Sequence, residues 1–197
     1  MIYFDVHSHT QHSTPDTLVL RHQYPLTADT SEPFSIGIHP WYLHNWEEQW
    51  QALLPLAEYP NCWAIGECGL DKNASAPWSL QQEIFHKHIA LSETLRLPLI
   101  IHCVKAYAEI ISFRKQTRAQ QLWVIHGFRK NLAVAQSLIA HGIALSFGEA
   151  LLRDPKLLQL CRSLPPEYCF FETDDAQISV REVIEKYYFG TSSPAKL

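Results

Sequence analysis

Histidine is the residue type whose number and spacing stand out, at eleven of 197 residues. Imidazole ligates metals and moves protons near neutral pH, so what each His can do depends on what its local geometry reaches. Two H-x-H pairs occur, His7 with His9 and His86 with His88. The second pair falls in a stretch of helical period, where residues two apart lie about 200° apart around the axis and cannot share an ion. His86 is therefore expected in solvent and His88 at the edge of an apolar stripe. The first pair follows the run IYFDV, and on a strand residues i and i+2 point the same way, so both rings can meet one ion.

Four further residues complete a pattern. Glu67 follows WAIG, His102 follows PLII, His126 follows LWVI and Asp174 follows CFFET. Each metal-capable side chain stands immediately after an apolar run, where an unpaired charge is costly. One such residue reads as a hydrogen-bonded strand cap, but six in equivalent places read as a site. The donors are all nitrogen or oxygen, and six exceed what one open catalytic ion needs, so two ions sharing a carboxylate are implied. Such donors suit Zn, Mn or Fe, and Mg where waters complete an octahedron.

The elements that must position these residues alternate. Runs suited to buried strands lie at 2–6, 18–20, 34–38, 63–66, 98–101, 122–125, 143–147 and 169–172. They lack clean polar alternation, as parallel strands covered on both faces do. Helical signals fill the gaps. Asn45 and Glu48 resemble a capping box before a helix ending near Pro55 or Pro60, and Ser79 with Gln82 opens the next. Residues 104–118, 131–141 and about 179–188 continue the series, with Gly142 where a helix-terminating glycine belongs. Eight strands alternating with helices predict an α/β fold of TIM type, a (β/α)8 barrel, with all strand carboxyl ends opening on one face. Only 24 residues surround the second strand between Thr10 and Pro33, so the barrel is expected to be trimmed, with one or more outer helices missing or reduced.

The composition, 47% hydrophobic and 12% aromatic, supports a sizeable core and excludes general disorder. One domain spanning 1–197 is expected, with a mobile tail from about 190 to 197. No run approaches the roughly 18 apolar residues of a membrane helix. MIYFDVHSHT carries no export signal, and five cysteines without a C-x-x-C read as reduced thiols, so a cytoplasmic setting is expected. The net charge of −4 argues against a general electrostatic clamp on nucleic acid, though not against a small basic mouth.

The same residues resemble the TatD family of metal-dependent hydrolases, DNase-like relatives of the amidohydrolase barrels. F-D-V-H-S-H, G-I-H-P at 37–40, I-G-E-C-G-L-D at 65–71, P-L-I-I-H at 98–102, H-G-F at 126–128, L-S-F-G at 145–148 and E-T-D at 172–174 follow in family order. The resemblance implies that His7 and His9 hold one ion, His102 and His126 a second, and that Glu67 bridges both. It also implies that Asp174 binds the first ion and is the general base toward the attacking water. Val104 and Lys105 stand where the family usually has an Arg two residues after the fifth-strand His, and Asp175-Ala176 replaces its usual Ala-Pro. Segment 10–33 and the C-terminal region are shorter than is usual.

The expected activity is two-metal hydrolysis of phosphodiesters, of the deoxyribonuclease type, on single-stranded or end-frayed nucleic acid. A metal-dependent amide or ester hydrolase of a small molecule would use the same ligands, and a non-catalytic metal-binding scaffold would keep them. Residues 96–130 carry seven basic residues and one acidic, but Arg114, Lys115 and Arg118 fall at a helix C-terminus on the far side. Lys105, Arg129 and Lys130 follow strands onto the catalytic face, enough for one or two phosphates, and Lys105 and Arg129 are expected to contact substrate. His39 is expected to hydrogen-bond a substrate oxygen. Trp41 and Tyr42 could stack a base, with packing on the next helix the favoured reading. Cys68 and Cys103 are expected to pack away from the ligands beside them, and Asp175 to point away from Asp174.

Overall fold

The computed structural model of the protein describes residues 2–190. Among them eight strands form one parallel sheet in sequence order: β1 (Tyr3–Ser8), β2 (Thr17–Gln23), β3 (Phe34–Ile36), β4 (Cys62–Asp71), β5 (Leu99–Val104), β6 (Trp123–Ile125), β7 (Ile143–Phe147) and β8 (Cys169–Phe171). A bridge from Ser8 to Asp174, just beyond β8, brings the last strand back to the first, so the sheet is a nearly closed barrel. Helices α1 (Trp46–Ala57), α2 (Trp78–Leu95), α3 (Tyr107–Thr117), α4 (Leu132–Ile139), α5 (Ala150–Arg153), α6 (Pro155–Ser163) and α7 (Val180–Phe189) follow β3 to β8. The expected tail lies outside the described residues except for Gly190.

No helix lies between β1 and β2 or between β2 and β3 among the described residues, which is the expected trimming. Polar bonds brace the short connections in place of a helix. The Ser13 hydroxyl accepts from Val19 N–H at 3.1 Å, the Glu32 carboxylate from Ser13 N–H at 3.1 Å, and Gln23 from Asp29 N–H at 2.8 Å.

Alternation along the strands sorts the side chains into two cores. Val6, Leu20, Ala64, Ile100, Val124 and Ala144 meet one another with Tyr168 and Phe170, filling the barrel. Trp123, Ile125, Leu99, Ile101, Leu145 and Phe147 belong to the larger cluster that holds the helices on the outside. The next inward positions, two residues further on, are His22, His102, His126, Ser146 and Glu172, so one parity that builds the apolar plug also delivers the polar layer above it.

Two strands break that parity. β1 carries one extra residue between Asp5 and Ser8, and β4 one between Ile65 and Cys68. A bulge re-aims every later side chain. In β4 it turns Glu67 and Asp71 toward the barrel mouth and sends Cys68 and Leu70 into the outer core. The strand read as 63–66 thus runs through Glu67 to Asp71, and the carboxylate is placed by a bulge within the strand and not by the strand's end. Gly66 and Gly69, at φ 128° and 146°, make this possible. A Cβ there would stand 2.2 Å from Ile100 O and 2.1 Å from His102 O, respectively.

The helix starts differ from expectation. Asn45 precedes α1 but its side chain accepts no cap bond and binds Gln49 instead, and α2 begins at Trp78 behind Pro77, leaving Ser79 inside it. The expected cap chemistry is found elsewhere: Ser179 and Glu182 form a full capping box on α7, and Asn131 caps α4.

His88 is wholly buried, not an edge residue. Its Nε2 accepts from Ile38 N–H at 3.0 Å, so Nδ1 carries the proton and donates to Ile84 O at 2.7 Å. This neutral imidazole ties α2 to the end of the third strand, and burial lowers its pKa to about 4. The folded value lies below the unfolded one, so the contribution is complete above pH 6.5 and is lost as pH falls through 4. The difference is worth about 3 kcal/mol at most. His88→Gln is therefore expected to lower stability near pH 7, with the gap from wild type closing between pH 6.5 and 4. Urea unfolding across that range measures it, and a pH-independent gap would contradict it.

Candidate metal centre

The centre of the barrel mouth is the Glu67 carboxylate, 2% exposed. Five imidazoles face it. His126 Nε2 lies 2.8 Å and His102 Nδ1 2.9 Å from Oε1, with His39 Nε2 at 3.2 Å. On the other oxygen, His9 Nε2 stands at 3.2 Å and His7 Nε2 at 3.5 Å. Burial alone would raise the pKa of Glu67. The charge of His126 and the hydrogen bonds of His102, His126 and His39 outweigh it and hold the group well below the usual carboxylate range. Burial likewise opposes protonation of His126, but Glu67 carries that imidazole up to about 10. His9 is also raised against burial by Glu67, whereas burial lowers His7 and His39.

Asp174 closes the ring. Its Oδ1 lies 3.7 Å from His7 Nε2 and 3.6 Å from His9 Nε2, and the side chain is 36% exposed. The backbone is left-handed there, φ 53°, and locked to β1: Asp174 N–H donates to His7 O at 3.0 Å and His9 N–H to Asp174 O at 3.1 Å. That turn ends the strand alternation. As a result Asp175 does not point away as expected, and a carboxylate oxygen of Asp175 lies within 4.8 Å of ligand-capable atoms of His9 and Asp174.

Four groups bring three such atoms within 4.8 Å of one another: His7, His126 and Asp174; His7, His9 and Glu67; His39, Glu67 and His102; His9, Asp174 and Asp175. All six sequence-derived ligand candidates are thus brought together, and His39 joins them. The donors fit a divalent cation of the kind held by imidazole and carboxylate. Both nitrogens of buried His7 lack a hydrogen-bond partner, as does Nδ1 of His126. Buried imidazole nitrogens without a hydrogen-bond partner are available to a metal, and a cation beside Glu67 would balance its buried charge.

Around the centre, carboxylates and backbone orient the rings, and sequence reasoning missed them. Asp71 Oδ2 lies 3.0 Å from His102 Nε2, which directs Nδ1 toward Glu67. Glu172 accepts from Gly127 N–H at 2.7 Å and from the Ser146 hydroxyl, and burial raises its pKa to about 7. Asp5 accepts from Thr173 N–H at 3.1 Å and its hydroxyl at 2.6 Å, tying β1 to β8. His22, also missed, sets Nδ1 2.9 Å from Glu67 N–H, against the bulged backbone. Period-2 alternation from Leu20 carries this signal, had the second strand been extended past residue 20.

His39 is buried at the wall of the barrel-mouth cavity and engaged at both ring nitrogens. Its Nδ1 accepts from Trp41 N–H at 3.1 Å, so Nε2 carries the proton toward Glu67. Trp41 and Tyr42 do not pack on the next helix. They are 55% and 42% exposed and line a cavity of about 300 Å³ with Tyr24, Glu67, His102 and Asp174. Arg129 and Lys130 line an adjoining cavity that shares His102, His126 and Asp174, while Lys105 Nζ donates to Asn73 Oδ1 at 3.1 Å. Cys68 and Cys103 are buried in the outer core, as expected, and His86 is exposed. Arg114, from the basic stretch, donates to Gln121 O and covers Trp123, away from the mouth.

A parallel barrel with a histidine–carboxylate cluster at the carboxyl ends of its strands is the architecture of the metal-dependent hydrolase barrels. The TatD related DNase family model matches residues 4–187, and the chain belongs to that family. An uncharacterized metal-dependent hydrolase of Buchnera aphidicola is 33% identical over 153 residues, covering 74% of this chain and 56% of that protein. The 3'-5' ssDNA/RNA exonuclease TatD of Escherichia coli K12 is 28% identical over 168 residues, covering 82% and 64%. The chain therefore spans about three fifths of the length of the curated relatives it matches. Among solved structures, the TatD homologue YJJV of Escherichia coli superposes with TM-score 0.71 at 22% identity, covering 87% of this chain and 78% of that one. An amidohydrolase from Saccharomyces cerevisiae gives 0.70 at 15%, covering 98% and 83%, a likeness of fold.

Glu67→Gln is expected to reduce retained divalent metal to a small fraction of wild type, because a neutral amide cannot balance cations in this pocket. His86→Ala, in solvent on α2, should retain the wild-type amount. Metal analysis after dialysis against Zn, Mn or Mg decides it, and a Glu67→Gln protein with full metal content would contradict the assignment.

Proposed function

We propose that the protein is a two-metal hydrolase of phosphodiester bonds in single-stranded or frayed nucleic acid. The observation that carries this is a buried carboxylate ringed by five imidazoles, with a second, solvent-facing carboxylate at its rim. The names of the curated relatives support the substrate class. Two divalent ions bound there would polarise the phosphoryl oxygen and acidify the attacking water. His7, His9 and Asp174 would hold one, His102 and His126 the other, with Glu67 shared.

The protein's own groups divide the remaining work. Glu67 is encircled and nearly out of water, so it serves as ligand and not as proton acceptor. Asp174 is part-exposed at the mouth on a backbone locked to β1, and it would act as the general base toward the attacking water. His39 donates to Glu67 and fixes its orientation. Arg129 and Lys130 flank the opening and would neutralise a phosphate, with Lys105 beyond Asn73. The five cysteines are free, four of them buried, which supports a reducing, cytoplasmic setting. No helix among the described residues is long and apolar enough to cross a membrane.

Asp174→Asn should fold, keep metal bound by Glu67, His102 and His126, and lose at least about 10²-fold in kcat, as for removal of a general base. Asp175→Asn should weaken activity less. Cleavage of labelled single-stranded DNA and RNA, beside model amides and phosphoesters, checks both the base and the bond. Activity confined to amides or esters would replace the nuclease reading, and no activity with metal bound would favour the scaffold.

Arg129→Ala and Lys105→Ala should raise KM more than they lower kcat and flatten the salt dependence of binding. Unchanged kinetics in both would make them solvated charges.

A further inference from the structure

A large aromatic surface left in water beside a polar centre requires an explanation, because its exposure costs stability that packing would recover. Trp41 is such a surface, and it is not loose. Its indole Nε1–H donates to Asp71 Oδ2 at 2.7 Å, and its backbone N–H donates to His39 Nδ1 at 3.1 Å. Asp71 is buried and held by Asn73 N–H at 2.7 Å. The oxygen that takes the indole proton also faces His102 Nε2 at 3.0 Å. One carboxylate therefore orients both a ring of the metal centre and an exposed indole, so the indole's position relative to that centre is set in advance.

The wall continues beyond it. The Tyr42 ring centroid lies 5.7 Å from that of Tyr24, and Tyr24 lies nearly parallel to His9, with 24° between ring planes. All three aromatics line the cavity that contains Glu67, His102, His126 and Asp174. Cations stand apart from this wall: Arg129 and Lys130 line the adjoining cavity. A ligand suited to both halves carries an anion for the metal and cationic side and a flat π face for the aromatic side.

We propose that Trp41, with Tyr42 and Tyr24 beside it, is a nucleobase-stacking subsite that holds the base next to the phosphate being cleaved. The proposal rests on the nuclease reading above and adds to it the feature that selects single strands. Within a duplex both faces of a base are stacked on neighbours, so an isolated indole can take only a base that is unstacked, at an end or in a single strand. Stacking is tolerant of base identity, so no strong sequence preference accompanies it.

The test compares metal-loaded wild type, Trp41→Phe and Trp41→Ala on a single-stranded oligonucleotide and on matched strands with an abasic unit on either side of the scissile phosphate. Wild type should prefer the base-bearing strand by roughly ten-fold or more in kcat/KM, mainly through KM. In Trp41→Ala the ratio should collapse toward one, whereas Trp41→Phe, which keeps a ring but loses the bond to Asp71, should keep most of it. Quenching of protein fluorescence by oligothymidylate, without metal, should fall in Trp41→Phe because the contacted indole is gone. Equal loss of the ratio in Phe and Ala would mean that Trp41 acts only through Asp71, and would overturn the subsite. A ratio unaffected by Trp41→Ala would also overturn it while leaving the nuclease reading intact. Failure of wild type to cleave any strand would overturn both.

Discussion

The constraint on which the structure turns is the burial of one negative charge. A carboxylate taken out of water is costly unless paired and hydrogen-bonded, and Glu67 is nearly sealed in the barrel mouth. Its compensation comes from four strands or strand ends: β1 contributes two imidazoles, and β5 and the ends of β3 and β6 contribute one each. No local segment supplies more than two of these rings. The cluster therefore exists only when the barrel is assembled, and it rewards that assembly only when its charge is balanced by protons or cations. Folding and metal capacity are linked through the same group.

Placing that charge inward demands a departure from regular strand geometry. Ala64 faces the barrel interior, so an unbroken period of two would put Glu67 on the outer face among the helices. The extra residue between Ile65 and Cys68 reverses the parity, and the side-chain-free positions Gly66 and Gly69 let β5 approach. The bulge in β1 does the same for His7 and His9. His22, bonded to Glu67 N–H, braces the irregular backbone from the second strand. Carboxylates outside the ring, Asp71 and Glu172, then set which nitrogen of His102 faces inward and hold the Gly127 turn behind His126.

The trimmed side of the barrel shows what the polar centre does not need. The connections around β2 dispense with helices, and side-chain caps from Ser13, Gln23 and Glu32 hold them. These shortened segments leave Tyr24 beside Tyr42 at the mouth. The aromatic surface is thus a product of the connections, while the ligand positions are a product of the strands.

Much was legible from sequence because parallel strands are short apolar runs, and a charged residue following one is conspicuous. The eight strands, the missing helix near residues 10–33 and the six candidate ligands all follow from that pattern, and family resemblance placed the ligands in pairs. What sequence spacing could not carry was parity. Period-2 reasoning assumes an uninterrupted strand, so it placed Glu67 at a strand end, turned Asp175 away from Asp174, and stopped β2 before His22. Partner choice was equally hidden: His88 reaches Ile38 across 50 residues and Trp41 reaches Asp71 across 30. Residue type and local period determine which segments become strands and which side chains can ligate. Bulges, left-handed turns and long-range hydrogen bonds decide where those side chains point, because they answer to contacts that exist only in the folded barrel.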